Sequence, residues 1–225
     1  SIGTWGSAGS GDGGLLEPSA VALDDHGNLY VTDKSAHRVE KFGPDGRVLA
    51  IWGKRGGQPG EFEAPRGVAL DGAGNVYVAD TGNNRIRKID PSGVVTTVPG
   101  TFNQPWSVAV SSKDGSLYIA DFGSNRILKV DPLGVVTPVP GIGNASYSGD
   151  GHAATSATLN SPSSVVVDPA DNLYIADSEN NAVRKVISST GNISTLAGNG
   201  TAVYGGDGFN ANLAGLYKPY SVYLD

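Results

Sequence analysis

One phrase is written four times along the chain: "NLYVTDKSAHRVEKFG" from Asn28, "NVYVADTGNNRIRKID" from Asn75, "SLYIADFGSNRILKVD" from Ser116 and "NLYIADSENNAVRKVI" from Asn172. Recurrence at this scale constrains the fold more than any other feature. It means that one small unit is built repeatedly and that the core forms between neighbouring copies. Aligned on their opening prolines, the copies begin at Pro18, Pro65, Pro105 and Pro162, with a fifth start at Pro219. The spacings of 47, 40, 57 and 57 residues suit propeller blades with loop insertions, and exceed the rung of a β-solenoid.

Each copy reads as four short strands. The first is "SAVALD", "RGVALD", "WSVAVS" or "SSVVVD", and the second is "NLYVTD" or a relative. The third, as in "NRIRKI", alternates apolar and polar residues as a half-buried strand does. The fourth is "RVLAIWG", "VVTTVPG", "VVTPVPG" or "NISTLAG". Turn chemistry joins them. "DDHGN", "DGAGN" and "DPADN" link strands one and two, and "GPDG", "DPSG" and "DPLG" link strands three and four. The 33 glycines and 13 prolines are what so many turns require. Four-stranded antiparallel units in series predict an all-β chain, a single β-propeller domain over residues 1–225.

The opening proline, "GN(L/V)YV(A/T)D", "NNRIRK" and the bridging "WGKRGGQPGEFEAP" or "YSGDGHAATSATLNSP" resemble the NHL-repeat family along essentially the whole chain. The resemblance implies a β-propeller, often six-bladed. It implies little about activity, since such propellers serve as binding platforms, enzyme domains and extracellular modules.

Within the repeat, Asp33, Asp80, Asp121 and Asp177 end the second strand, and Arg38, Arg85 and Arg126 begin the third. Five residues apart across a hairpin, each Asp and Arg can pair and staple the blade. Blade four has Ala182 instead, so Asp177 needs another partner. The rival reading, a carboxylate ring for metal or acid–base work, is weaker, because repeats duplicate scaffold.

Chemistry is sparse elsewhere. The three histidines, His26, His37 and His152, fall at unlike places, and a catalytic zinc needs about three convergent ligands. Peptide-amidating lyases share this repeat and use metal-bound histidines, but their histidine positions are not matched. With no Cys, neither disulfides nor thiolate metal sites can form. "GDG" recurs around Asp12, Asp150 and Asp207, each offering a calcium ion one carboxylate where several oxygens are needed. These are read as turn residues. No catalytic residue, metal site or cofactor is assigned, and the chain is read as non-enzymatic.

The net charge of −6 disfavours nucleic acid. Residues 34–88 nonetheless carry 10 of the 16 basic side chains and 6 of the 22 acidic ones, which keeps an RNA-binding alternative open. A lyase or hydrolase whose catalytic groups lie outside this segment is the other alternative. No apolar run approaches the roughly 18 residues of a membrane helix. The sequons "NAS", "NIS" and "NGT" mark Asn144, Asn192 and Asn199 for glycosylation, all read as lying in exposed loops. They point to an extracellular or secreted location.

Function is expected where the copies differ. The residue after each opening proline, at the expected channel mouth, reads Ser19, Arg66, Trp106, Ser163 and Tyr220. After each stapling Asp come Lys34, Thr81, Phe122 and Ser178. Arg66, Trp106, Phe122 and Tyr220 make a cation-and-aromatic patch of the kind enriched at interfaces, facing a protein or glycan partner. Trp5 and Trp52, in repeating fourth-strand positions, are read as packing residues.

The ends carry a further expectation. "SIGTWG" reads as a fourth strand without its blade, and "PYSVYLD" as a first strand with nothing after it. With no Met in the chain, Ser1 is not expected to be a translation start. Open strand edges invite pairing, so four complete blades plus these ends suggest a window on a five- or six-bladed ring. The alternative is head-to-tail self-assembly, in which a neighbouring subunit donates the missing strands.

Overall fold

The computed structural model describes residues 5–224, in two compact units, Ser1–Thr101 and Phe102–Asp225. Each unit holds two four-stranded antiparallel sheets, each with its strands in sequence order. Blade one comprises Pro18–Leu23, Leu29–Asp33, Arg38–Phe42 and Val48–Trp52, and blade two Val68–Leu70, Val76–Asp80, Arg85–Ile89 and Val95–Thr97. Blade three comprises Pro105–Val110, Leu117–Asp121, Arg126–Val130 and Val136–Pro138, and blade four Pro162–Val167, Leu173–Asp177, Ala182–Ile187 and Asn192–Ala197.

The expected end strands differ from the middle ones. Most of the Ile2–Trp5 segment lies outside the described residues. Trp5 itself is in no strand, and its indole N–H donates to the Gly43 carbonyl at 3.0 Å. Residues 220–224 form no strand ladder among the described residues; the Val222 amide instead donates to Ser164 Oγ at 3.4 Å.

Each unit closes its core between its two blades. In the first unit Tyr30 and Val39 of blade one pack with Val76, Val78 and Ile89 of blade two, and Trp52 stacks on Tyr30. In the second, Tyr118, Ala120 and Ile127 of blade three meet Val165, Ile175 and Ile193 of blade four. A residue three before the opening proline wedges into the junction of each unit: Phe62 in the first and Leu159 in the second are fully buried in those cores. Burying such a side chain contributes roughly 1.5–3 kcal/mol.

The repeated phrase is explained almost residue by residue. The Asp opening each first turn, Asp24, Asp71 or Asp168, accepts two backbone N–H groups, an Asn side chain and the hydroxyl of Tyr30, Tyr77 or Tyr174. These bonds hold the three carboxyls below the ordinary aspartate range against a burial that raises them. Lys41, Lys88, Lys129 and Lys185 then lie over the rings of Tyr30, Tyr77, Tyr118 and Tyr174. Blade three has Ser111 where the others have Asp, and its hydroxyl donates to Asp171 of blade four at 2.6 Å.

The residue before the third strand, Asn84, Asn125, Asn181 or His37, takes a left-handed φ of 51–56°. Asn tolerates that conformation because its short side chain bonds locally. Here three of the four reach the next blade. His37 Nδ1 accepts the Ala64 amide at 3.0 Å, Asn125 Oδ1 that of Ser161 at 2.8 Å, and Asn181 Oδ1 that of Lys218 at 3.1 Å. The donor is always the residue before an opening proline. Replacing Asn125 by Gly keeps the φ without strain and deletes the acceptor, together with a long 3.5 Å donation from Nδ2 to the Gly143 carbonyl. The expected loss is about 1 kcal/mol, read as a melting temperature roughly 2–4 °C lower in a thermal scan.

Candidate functional site

The four strand-ending carboxylates are scaffold. Asp33, Asp80, Asp121 and Asp177 are completely buried, and each accepts the backbone amide two residues before its opening proline. Two of the expected staples form: Arg85 Nε lies 2.7 Å from Asp80 and Arg126 Nε 3.0 Å from Asp121.

In blade one the expected Asp33–Arg38 pair does not form. Asp33 is met instead by backbone amides, taking that of Glu17, the residue before the first proline, at 3.0 Å as well as that of Ala36. Arg38 turns instead to Glu40 and to the carbonyls of Ser10, Gly11 and Gly14. Arg85 likewise holds the carbonyls of Gly57 and Glu61. The arginines thus gather the carbonyls of the incoming loop while the aspartates gather its amides.

Blade four solves its missing arginine from two residues further along. Arg184, fully buried, reaches Asp177 at 3.2 Å and Asp150 of the "GDG" loop at 2.6 Å, beneath the Tyr147 ring. Asp150 is therefore a loop anchor, and Asp207 accepts the Tyr204 hydroxyl at 2.8 Å. The histidines also stand apart in role, since the His26 and His152 amides serve turns and the His37 ring holds Ala64. Among the described residues no group of three metal-ligating side chains gathers.

The non-repeated positions behave differently. In blades one, three and four the ladder slips by one residue just after the opening proline, at Ser19, Trp106 and Ser163. A bulge releases a side chain from the strict alternation of the strand and re-aims it. Trp106 uses this freedom to stack on Phe122, which opens the short 3-10 turn after Asp121; the ring centroids are 3.7 Å apart and the planes 5° from parallel. Tyr220 closes on the other side at 5.6 Å and 50°. Three of the four expected patch residues therefore meet. Tyr220 is 54% exposed, while Trp106 and Phe122 are half-buried. Arg66, in the first unit, holds the same post-proline place in blade two, where its carbonyl accepts the Thr32 hydroxyl at 2.5 Å.

Two residues beneath the patch matter more than their type suggested. Ser163 and Ser178 take the blade-four positions of Trp106 and Phe122, and both are buried. Their hydroxyls bond each other at 2.5 Å, and hold the Tyr220 carbonyl at 2.7 Å and the Pro219 carbonyl at 2.8 Å. An aromatic pair in one blade and a hydroxyl pair in the next together fix Tyr220. Their only mark in the sequence was their place in the alignment of copies.

The basic sector offers little free charge. Lys34 pairs with Glu17, Lys41 with Asp24, Arg47 with Asp45, Lys54 with Glu61, and Arg55 with Glu63. Of the sequon residues, Asn144 and Asn192 are exposed, although Asn192 begins a strand and is not in a loop. The exposed Asn199 has its side chain engaged, donating to the Leu213 carbonyl and accepting from Thr201.

Comparison with known proteins agrees with this architecture. The NHL repeat matches residues 15–42, 62–89, 102–130 and 159–186, half of the chain, and each match starts three residues before an opening proline. The chain belongs to the NHL-repeat family, and its fold is a β-propeller. Among solved propellers it is similar to an auxiliary nutrient binding protein from Bacteroides ovatus, at 18% identity and a TM-score of 0.67 over 94% of this chain and 54% of that one. The propeller of a nidogen/laminin complex matches at 22% identity and a TM-score of 0.61, over 80% of this chain and 62% of the other. Virginiamycin B lyase from Staphylococcus aureus, in complex with quinupristin, matches at 18% and 0.59, over 79% and 54%. The chain thus spans about half the length of the lyase and nutrient-binding chains. No curated protein matches it in sequence.

Burial pushes the Asp177 carboxyl up to about 6, against hydrogen bonds from Asn160 and Asn180 and the charge of Arg184, which favour ionisation. The folded chain therefore binds this proton more tightly than the unfolded chain does. The group's contribution is fully present below about pH 4 and is lost as pH rises through 6. Asp114, held at about 2 by hydrogen bonds from Ser116 and Lys129 despite burial, acts in the opposite sense and only below pH 4. Between pH 4 and 7 the unfolding free energy of wild type, from denaturant titration, should fall relative to that of Asp177→Asn, by on the order of 1–3 kcal/mol. Parallel profiles would show that Asp177 stays ionised.

Proposed function

We propose that this chain is a non-enzymatic binding propeller that contacts a protein or glycan partner through the Trp106–Phe122–Tyr220 patch. The observation that carries this reading is the convergence of three aromatic rings at positions the repeat leaves free. Every constant feature of the phrase is used up in turns, loop clamps and blade junctions. The patch is instead a rigid, partly exposed aromatic surface on a scaffold, as binding hot spots are. The family supports a binding or structural role, and one similar propeller comes from a nidogen/laminin complex. The RNA alternative loses support because most cations of the 34–88 sector are paired within the protein.

Trp106→Ala should weaken partner binding by about 2 kcal/mol, roughly 30-fold, with the circular dichroism spectrum retained. Binding is read on an immobilised glycan panel and against matrix proteins by surface plasmon resonance. Equal affinity of the two folded proteins for a ligand so found would remove the patch from the interface.

An extracytoplasmic setting is part of the same proposal. Expressed through a eukaryotic secretory pathway, the chain should carry glycan at Asn144 and Asn192 in preference to Asn199, whose amide is already engaged. Site occupancy is read by mass spectrometry before and after endoglycosidase. Occupancy at Asn199 alone would contradict the accessibility argument.

A further inference from the structure

The third residue of the third strand reads Glu40, Arg87, Leu128 and Arg184 in blades one to four. Three of these are resolved internally. Glu40 meets Arg38, Leu128 is neutral, and Arg184 is met by Asp150 and Asp177. Arg87 differs. It is 4% exposed, and Nη1 donates to Thr97 Oγ1 at 2.6 Å, but Nε and Nη2 have no hydrogen-bond partner.

Its surroundings supply no spare anion. Arg87 stands opposite Val78 and in step with Ile89, so its side chain shares the face of the apolar cluster between blades one and two. The neighbouring Asp80 is occupied by Arg85, Asn83 and the Glu63 amide. An uncompensated buried charge costs several kcal/mol, and an arginine cannot shed its proton to avoid it. Burial and the neighbouring Arg85 act against its charge, offset only in part by Asp80.

The repeat itself shows where a counter-charge belongs. Arg184 and Arg87 face equivalent fourth-strand threonines, Thr195 and Thr97. In blade four the incoming loop delivers the Asp150 carboxylate to Arg184, and Tyr147 binds Thr195. In blade two the incoming loop is shorter, and its acids are committed, Glu61 to Lys54 and the Gln58 amide and Glu63 to Arg55. Thr97 is exposed, so the guanidinium lies one side chain below the surface.

We propose that Arg87 binds a small monovalent anion of the halide class, in the place that the Asp150 carboxylate fills beside Arg184. Thermal unfolding in sodium chloride, exchanged against sodium gluconate at constant ionic strength, tests this. The wild-type midpoint should rise saturably with chloride, by roughly 3–5 °C at tenfold over the dissociation constant. Arg87→Leu, which copies blade three, should abolish the rise. Thr97→Asp, which brings a carboxylate to the guanidinium, should abolish it while retaining the arginine. Coincident chloride and gluconate curves for wild type, or a rise that persists in Arg87→Leu, would overturn the proposal. Should Arg87→Leu fail to fold, chloride-35 line broadening by wild type decides: broadening lost in Thr97→Asp supports the site, and none in wild type refutes it.

Discussion

The buried aspartate at the end of each second strand is the constraint from which the rest of a blade follows. A carboxylate taken wholly out of water must be met by several donors. Here one donor in every blade comes from the backbone of the loop entering it, the amide two residues before the proline. Satisfying the carboxylate therefore fixes the loop. The fixed loop sets the proline, and places Phe62 or Leu159 in the blade junction of its unit. The arginine or asparagine beside the aspartate completes the arrangement. Where the standard arginine is absent, Arg184 replaces it from two residues further along the same strand, because the carboxylate cannot be left unpaired.

Much of this was legible in the sequence. Turn residues, alternation and the proline spacing located the four blades, and the strand-ending aspartates stood out by recurrence alone. Pairing logic applied within one hairpin was less complete. It gave the Asp80 and Asp121 partners but misassigned Arg38, because three backbone amides already meet Asp33 and Glu40 offers Arg38 another carboxylate. Recurrence also marked the asparagines before the third strands without revealing that they reach forward to the next blade. Long-range side-chain-to-backbone bonds leave no trace on the acceptor's partner, since any residue but proline supplies an amide.

The candidate site was legible by difference. Trp106, Phe122 and Tyr220 were set apart because the repeat does not dictate them, and the structure brings them into contact. The bulges that free the post-proline side chains were not visible, because a one-residue slip of register has no compositional signature here. The support under Tyr220 was equally silent. Serine is common in turns, and only burial shows that Ser163 and Ser178 form a bonded pair holding the Pro219–Tyr220 backbone.

The blade junction has a consequence for how such a chain changes over generations. Its polar link joins a His or Asn acceptor to a main-chain amide, so the receiving blade contributes no side-chain identity to it. Through this link any copy can follow any other without a co-selected partner residue, the Ser111–Asp171 bond between blades three and four being an exception. Duplication, loss or reshuffling of whole blades then meets little polar incompatibility at the seam. The seam is a generic connector, and that leaves recognition residues in each copy free to diverge independently.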